Sequence, residues 1–100
     1  MKLYVIDCYA VKTEAEFWAE YLSTVKPQGT EYFGRNLDAF WDALSAGGPG
    51  YPNHEGKCEL RFINTDPVKL LRNGAFYKKL QEIEQDLRIE VNSDVAIMLG

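Results

Sequence analysis

The order in which β-forming and helix-forming stretches alternate constrains this chain most. Lys2 to Asp7 is short, rich in β-formers and bounded by polar residues, so it reads as a strand. Cys58 to Ile63 alternates in polarity and reads as a second strand, and the apolar run Val95 to Leu99 as a third. Two helical stretches lie between the first and second strands, and two more between the second and third. Strands separated by helical pairs favour a parallel sheet with helical crossovers. The pattern β-α-α-β-α-α-β predicts an α/β fold: a three-stranded parallel sheet with helical crossovers, formed by residues 1–100 as a single domain.

Each helix carries its own signals. Thr13-Glu14-Ala15-Glu16 is a capping box, in which Thr13 bonds forward to the Glu16 N–H and Glu16 reaches back. The helix it starts runs through Phe17, Tyr21, Leu22 and Val25. It must stop by Lys26, because Pro27 disfavours helix in the residue before it. Trp18 is expected to pack at its flank. A second helix begins at Leu37 and ends near Ser45-Ala46, where Gly47-Gly48-Pro49-Gly50 breaks it. Asp66-Pro67 reads as an N-cap followed by proline at the first helical position, opening a short helix through Val68, Leu70 and Leu71. Asn73-Gly74 ends it. Phe76, Leu80, Ile83 and Leu87 then recur at helical spacing, with Lys78, Gln81, Glu82 and Gln85 on the solvated face.

Composition removes several function classes. With a net charge of −4, the chain is a poor prospect for phosphate-directed nucleic-acid binding and a reasonable one for a basic protein. No run of 18 apolar residues is present to span a membrane, and Asp7 cuts the first apolar run short of a signal-peptide core. A cytoplasmic protein is expected. In that reducing setting Cys8 and Cys58 read as free, packed thiols. Two scattered cysteines and His54 match no zinc spacing, so no metal and no cofactor are expected. The glycines at 47–50 do not follow a strand and open a helix, so they form no phosphate-cradling loop.

The densest stretch is Tyr32-Phe33-Gly34-Arg35-Asn36-Leu37-Asp38-Ala39-Phe40-Trp41-Asp42-Ala43-Leu44, a tight turn feeding a helix. Gly34 is expected to supply backbone freedom and Asn36 to cap the first turn. On a helix from Leu37, the residues Leu37, Phe40, Trp41 and Leu44 share one apolar face. Asp38 and Asp42 share a neighbouring strip, with Trp41 at the seam. Like charges four apart repel by about 0.2–0.5 kcal/mol. The helix dipole offsets part of this at Asp38 and much less at Asp42. No Lys or Arg stands three or four residues from either within the helix. Two readings remain: a solvated acidic face, or an unneutralised patch that awaits a cationic partner.

The run Tyr32 to Leu44 resembles the signature of barstar-like proteins, the intracellular inhibitors of barnase-type, guanyl-preferring ribonucleases. Tyr51-Pro52, Asn73-Gly74-Ala75 and the strand Val95 to Leu99 echo it more weakly. The resemblance implies the same β-α-α-β-α-α-β layout and a small basic extracellular-type ribonuclease as 1:1 partner, the free inhibitor being a monomer. It makes Asp42 the residue that occupies the enzyme's phosphate site and Asp38 a ligand for a neighbouring cation. Tyr32 would lie on the active-site rim against a catalytic His. Gly34 and Asn36 would shape the contacting loop, and Trp41 would support the helix at the interface edge. A further contact falls to a Glu of the late helix, either Glu82 or Glu84. Arg35 stands where the family often has an acidic or neutral residue. The stretch Ser45 to Lys57 is more Gly-rich than the family's and lacks an aromatic just after the helix. Beside the inhibitor reading stand two others: a barstar-like module for a different basic protein, and a small enzyme or metal protein using Asp38 and Asp42. Two carboxylates on one wet helix face would both stay ionised, which speaks against acid–base chemistry.

Overall fold

The computed structural model describes residues 1–89 and 93–100. Strands β1 (Lys2–Asp7), β2 (Cys58–Ile63) and β3 (Val95–Leu99) form a parallel sheet in the order β1-β2-β3. Helix α1 (Glu14–Val25) and helix α2 (Leu37–Ala46) join β1 to β2, and helix α3 (Ala75–Ile89) precedes β3. The expected α/β fold, a three-stranded parallel sheet with helical crossovers, is the observed one.

Local signals set most boundaries. The Glu16 N–H donates to Thr13 Oγ1 at 3.1 Å, and Glu16 Oε1 accepts from the Thr13 N–H at 3.1 Å, which completes the capping box. Lys26 closes α1 in the left-handed region at φ 51°. Gly47 closes α2 at φ 80°, where its N–H donates to the Ala43 carbonyl at 2.9 Å.

The segment after β2 departs from the reading above. Val68–Gly74 forms 3-10 turns rather than a regular α-helix, and Asp66 does not cap it. The run breaks at Leu71, whose ψ is 132°, and Arg72 and Asn73 follow at φ 50° and 53°. Left-handed residues cannot continue a right-handed helix, so the chain turns there and starts again as α3. Leu70 is exposed as a result, while Val68 is buried.

The core lies between one face of the sheet and the helices. Ile6, Leu60, Phe62, Val95 and Ile97 point into it from the strands, and Phe76, Leu80, Ile83 and Leu87 from α3. Trp18 is not at the flank of its helix but at the centre of this core, 1% exposed. Its ring stands edge-on to Phe17 at 4.9 Å and to Phe33 at 5.6 Å. Its indole Nε1 is buried without a hydrogen-bond partner, a cost of about 1–3 kcal/mol that the aromatic packing outweighs. Cys8 and Cys58 are buried free thiols, and burial pushes the Cys8 thiol up to about 12.

Candidate protein-binding face

The turn before α2 splits its aromatics between core and solvent. In the 3-10 turn Thr30–Tyr32, Tyr32 is 77% exposed, whereas the next residue, Phe33, is buried against Trp18 and Tyr21. Phe33 anchors the turn and leaves Tyr32 standing free. Asn36 ties this turn to the helix in two directions. Its Oδ1 accepts from the Ala39 N–H at 2.8 Å as the N-cap, and its Nδ2 donates to the Gly34 carbonyl at 3.1 Å.

Gly34 serves a different purpose from the one expected. Its φ is not positive; the left-handed residue is Arg35, at φ 50°. What Gly34 provides is room, since a Cβ there would lie 3.1 Å from the Ala39 Cβ and 3.2 Å from Asn36 Nδ2. A side chain at that position would press on the cap itself.

The Gly-rich stretch after α2 braces this turn from behind. The Gly50 N–H donates to the Gln28 carbonyl at 2.8 Å, and the Gln28 N–H to the Tyr51 carbonyl at 2.9 Å. Buried Tyr21 donates its hydroxyl to the Gly50 carbonyl at 2.7 Å. Gly50 has φ +99°, and an added Cβ would lie 2.6 Å from the Phe33 ring. Both facts require glycine. Gln28, Gly50 and Tyr51 thus belong to the support of the site. The run of glycines signalled a loop but not the ring it touches.

On α2, Leu37, Phe40, Ala43 and Leu44 are buried, with Phe40 lodged against Trp18 and Tyr21. Trp41 is half-buried on the seam, where its carbonyl accepts from Ser45 Oγ at 2.6 Å. Asp38 and Asp42 are exposed. Among the described residues, neither makes an ion pair or a side-chain hydrogen bond. Their surroundings differ. Asp38 shares a cleft of about 330 Å³ with Arg72 and Lys79, whose own charges are engaged elsewhere. Arg72 donates from Nε and Nη2 to the two Glu14 carboxylate oxygens, both at 2.6 Å, and Lys79 lies 3.7 Å from Glu82. Asp42 does not line that cleft.

The two late-helix candidates part company. Glu82 is exposed and stands with Lys79, on the flank of α3 that borders the Asp38 cleft. Asp86, one turn on and half-buried, continues that flank. Glu84 lies on the other flank. It pairs with Arg88 at 3.8 Å and lines a separate cleft of about 600 Å³ beside β3.

A small α/β domain that holds outward a capped, core-packed helix whose two carboxylates are unpaired among the described residues has the form of a protein-binding module. The family model described as Barstar (barnase inhibitor) matches residues 1–97, and the chain belongs to the barstar family. A search of curated proteins returned no match. Family membership supports a barnase-inhibitor-like role, and a ribonuclease partner, in general terms. No helix among the described residues is long and apolar enough to cross a membrane.

Proposed function

We propose that this chain inhibits a small, basic, guanyl-preferring ribonuclease by lodging Asp42 in the cavity that holds the RNA phosphate. The observation that carries this reading is the pair of exposed carboxylates on α2, unpaired within the described residues and held by a capped, core-packed helix. Such an enzyme binds phosphate with Arg, Lys and His, and a carboxylate can take the phosphate's place through strong, directional, charge-assisted bonds. Fixing that carboxylate on a helix before binding lowers the ordering cost of association. A net charge of −4 adds long-range attraction to a basic enzyme.

Asp38 would bind a neighbouring cation of the enzyme. Tyr32 would lie on the active-site rim, with Gly34 and Asn36 shaping the contacting turn and Trp41 supporting its edge. Of the late-helix acids, Glu82 is the better placed, because its flank borders the Asp38 cleft. The reading assigns the chain no reaction of its own.

A second reading, a module for a different basic protein, draws on Arg35. It is an exposed cation in the middle of the contacting turn, and it would repel a partner patch built only of cations. One experiment separates the two. The purified chain is titrated into a barnase-type ribonuclease, and separately into basic ribonucleases recovered from the host by pull-down, with RNA cleavage as readout. Loss of cleavage at a 1:1 ratio with any of them supports the inhibitor. Capture of a basic protein with no ribonuclease inhibited would replace it with the second reading.

A further inference from the structure

The face of the sheet opposite the core leaves apolar side chains of its two outer strands exposed. The strand order β1-β2-β3 steps the same way at both crossovers, and crossovers of one hand taken twice in one direction place their helices on the same side. On the other side Leu3 is 43% exposed, Val5 44% and Met98 46%, while the Glu59 side chain is 13% exposed and lines, with Ala96 and Met98, the cleft that Glu84 and Arg88 of α3 border. Parallel sheets are ordinarily covered on both faces.

The register arranges this face as two rows. Leu3, Glu59 and Ala96 lie side by side across the three strands, and Val5, Arg61 and Met98 lie side by side two residues on. We propose that this face pairs with the same face of a second copy of the chain, about a two-fold axis lying in the interface, across the strands and between the two rows. That axis exchanges the rows. Leu3 then meets the second copy's Val5, Ala96 meets its Met98, and Glu59 meets its Arg61. Apolar faces apolar on both outer strands, and acid faces base on the central one.

Within each copy, Arg61 Nη2 already lies 2.8 Å from Glu59 Oε2. Pairing two such faces closes the four charges into a ring and leaves none buried alone. Sheets packed face to face stand about 10 Å apart, which these side chains span. Three strands about 4.8 Å apart, each about 18 Å long, present a footprint on the order of 250 Å². A standard interface takes roughly 800 Å² from each partner, so the pair is weak and reversible. Helix α2, which carries Asp38 and Asp42, lies on the other side of the sheet. The surface is therefore independent of the ribonuclease reading and stands or falls separately from it.

The test is sedimentation velocity on the full chain from about 10 μM to about 1 mM, a range that brackets weak dimers. The sedimentation coefficient should rise with concentration and fit a monomer–dimer equilibrium. Arg61→Glu sets like charges against each other across the axis and should weaken association at least ~10-fold. Glu59→Arg combined with Arg61→Glu keeps the pattern self-complementary and should bring association back to within about threefold of the parent. Met98→Asp, on another strand, should weaken it without touching the ion pair. Circular dichroism and melting establish that each variant is folded. A parent that stays monomeric throughout, an Arg61→Glu variant that associates like the parent, or a double variant no better than the single would each overturn the proposal.

Discussion

Helices α2 and α3 are built alike on their inner sides and differently on their outer ones. Each buries an apolar stripe at helical spacing: Leu37, Phe40 and Leu44 on α2, and Phe76, Leu80, Ile83 and Leu87 on α3. Outside, α3 answers acid with base, pairing Lys79 with Glu82 and Arg88 with Glu84. On α2, Asp38 and Asp42 stand a turn apart with no counter-charge bonded to them among the described residues. A helix whose surface serves only solubility gains a few tenths of a kcal/mol from spaced opposite charges and loses about as much from spaced like ones. The fold therefore does not call for the α2 arrangement, and under the proposed function a cationic partner does.

The largest expected effect breaks the comparison at its sharpest point. Asp42→Ala should weaken inhibition of the cognate ribonuclease by at least ~2 kcal/mol, roughly 30-fold, as for a central residue desolvated against several cations. The free protein should keep its melting temperature or gain slightly, by about 0.2–0.5 kcal/mol, as the repulsion with Asp38 disappears. Asp38→Ala should cost less binding, because Arg72 and Lys79 line its cleft. Inhibition constants and melting curves of the two variants check this. Equal losses would show that the cleft makes no difference.

Next in size is Gly50→Ala. A Cβ meets the Phe33 ring at 2.6 Å on a backbone with φ +99°, so stability should fall by about 1–3 kcal/mol. Inhibition should fall with it, because Phe33 holds the turn that carries Tyr32 and Asn36. Denaturant unfolding and inhibition on the same samples measure both. A variant as stable as the parent would remove the brace from the account. Gly47→Ala is the control, since a Cβ there meets nothing within 4 Å although φ is +80°.

On α3 the effects should be smaller. Glu82→Ala and Glu84→Ala each remove one exposed or half-exposed ion pair, worth about 0.2–1 kcal/mol of stability. Only Glu82→Ala, or Asp86→Ala beside it, should also weaken inhibition. A loss confined to Glu84→Ala would move the contact to the flank beside β3.

The smallest effect at neutral pH comes from the core. Burial raises the pKa of Cys8 from 9.0 to about 12 and also raises those of Cys58 and Tyr21. Their folded-state values exceed their unfolded ones, so the protonated groups favour the folded state fully below about pH 8.5. Stability should decline as pH rises from there toward 12. Melting temperature against pH, with the rate of thiol labelling at each pH, reads it out. Rapid labelling of the folded protein at pH 7 would show that the thiols are not held in the core.

What was legible in the sequence was local. Thr13 with Glu16, and Asn36 with Ala39, lie three residues apart, and their bonds follow from helix geometry alone. The unpaired state of Asp38 and Asp42 was half legible. Their own helix holds no cation, but Arg72 and Lys79, which approach Asp38, come from far along the chain. The stacking of Gly50 on Phe33 joins positions separated by all of α2. The central place of Trp18 depends on Phe33, Phe40 and Phe76 arriving from other elements. Asn73-Gly74 announced the end of the short helix, and the left-handed Asn73 fits that signal; the left-handed Arg72 and the 3-10 form of the turns before it had no local signal.

The central claim is that Asp42 on α2 is held ready for a partner's cations while Glu84 on α3, paired with Arg88, is not. A double-mutant cycle tests it most directly: Asp42→Ala on this chain against alanine at an arginine of the enzyme's phosphate site, with dissociation constants for all four combinations. Asp42 should couple to that arginine by at least ~1.5 kcal/mol, the lower end of what close charge pairs give at the barnase–barstar interface and so a magnitude borrowed from this family. Glu84→Ala, cycled the same way against that arginine, should give a coupling near zero. A coupling near zero for Asp42, with all four proteins folded, would contradict the account.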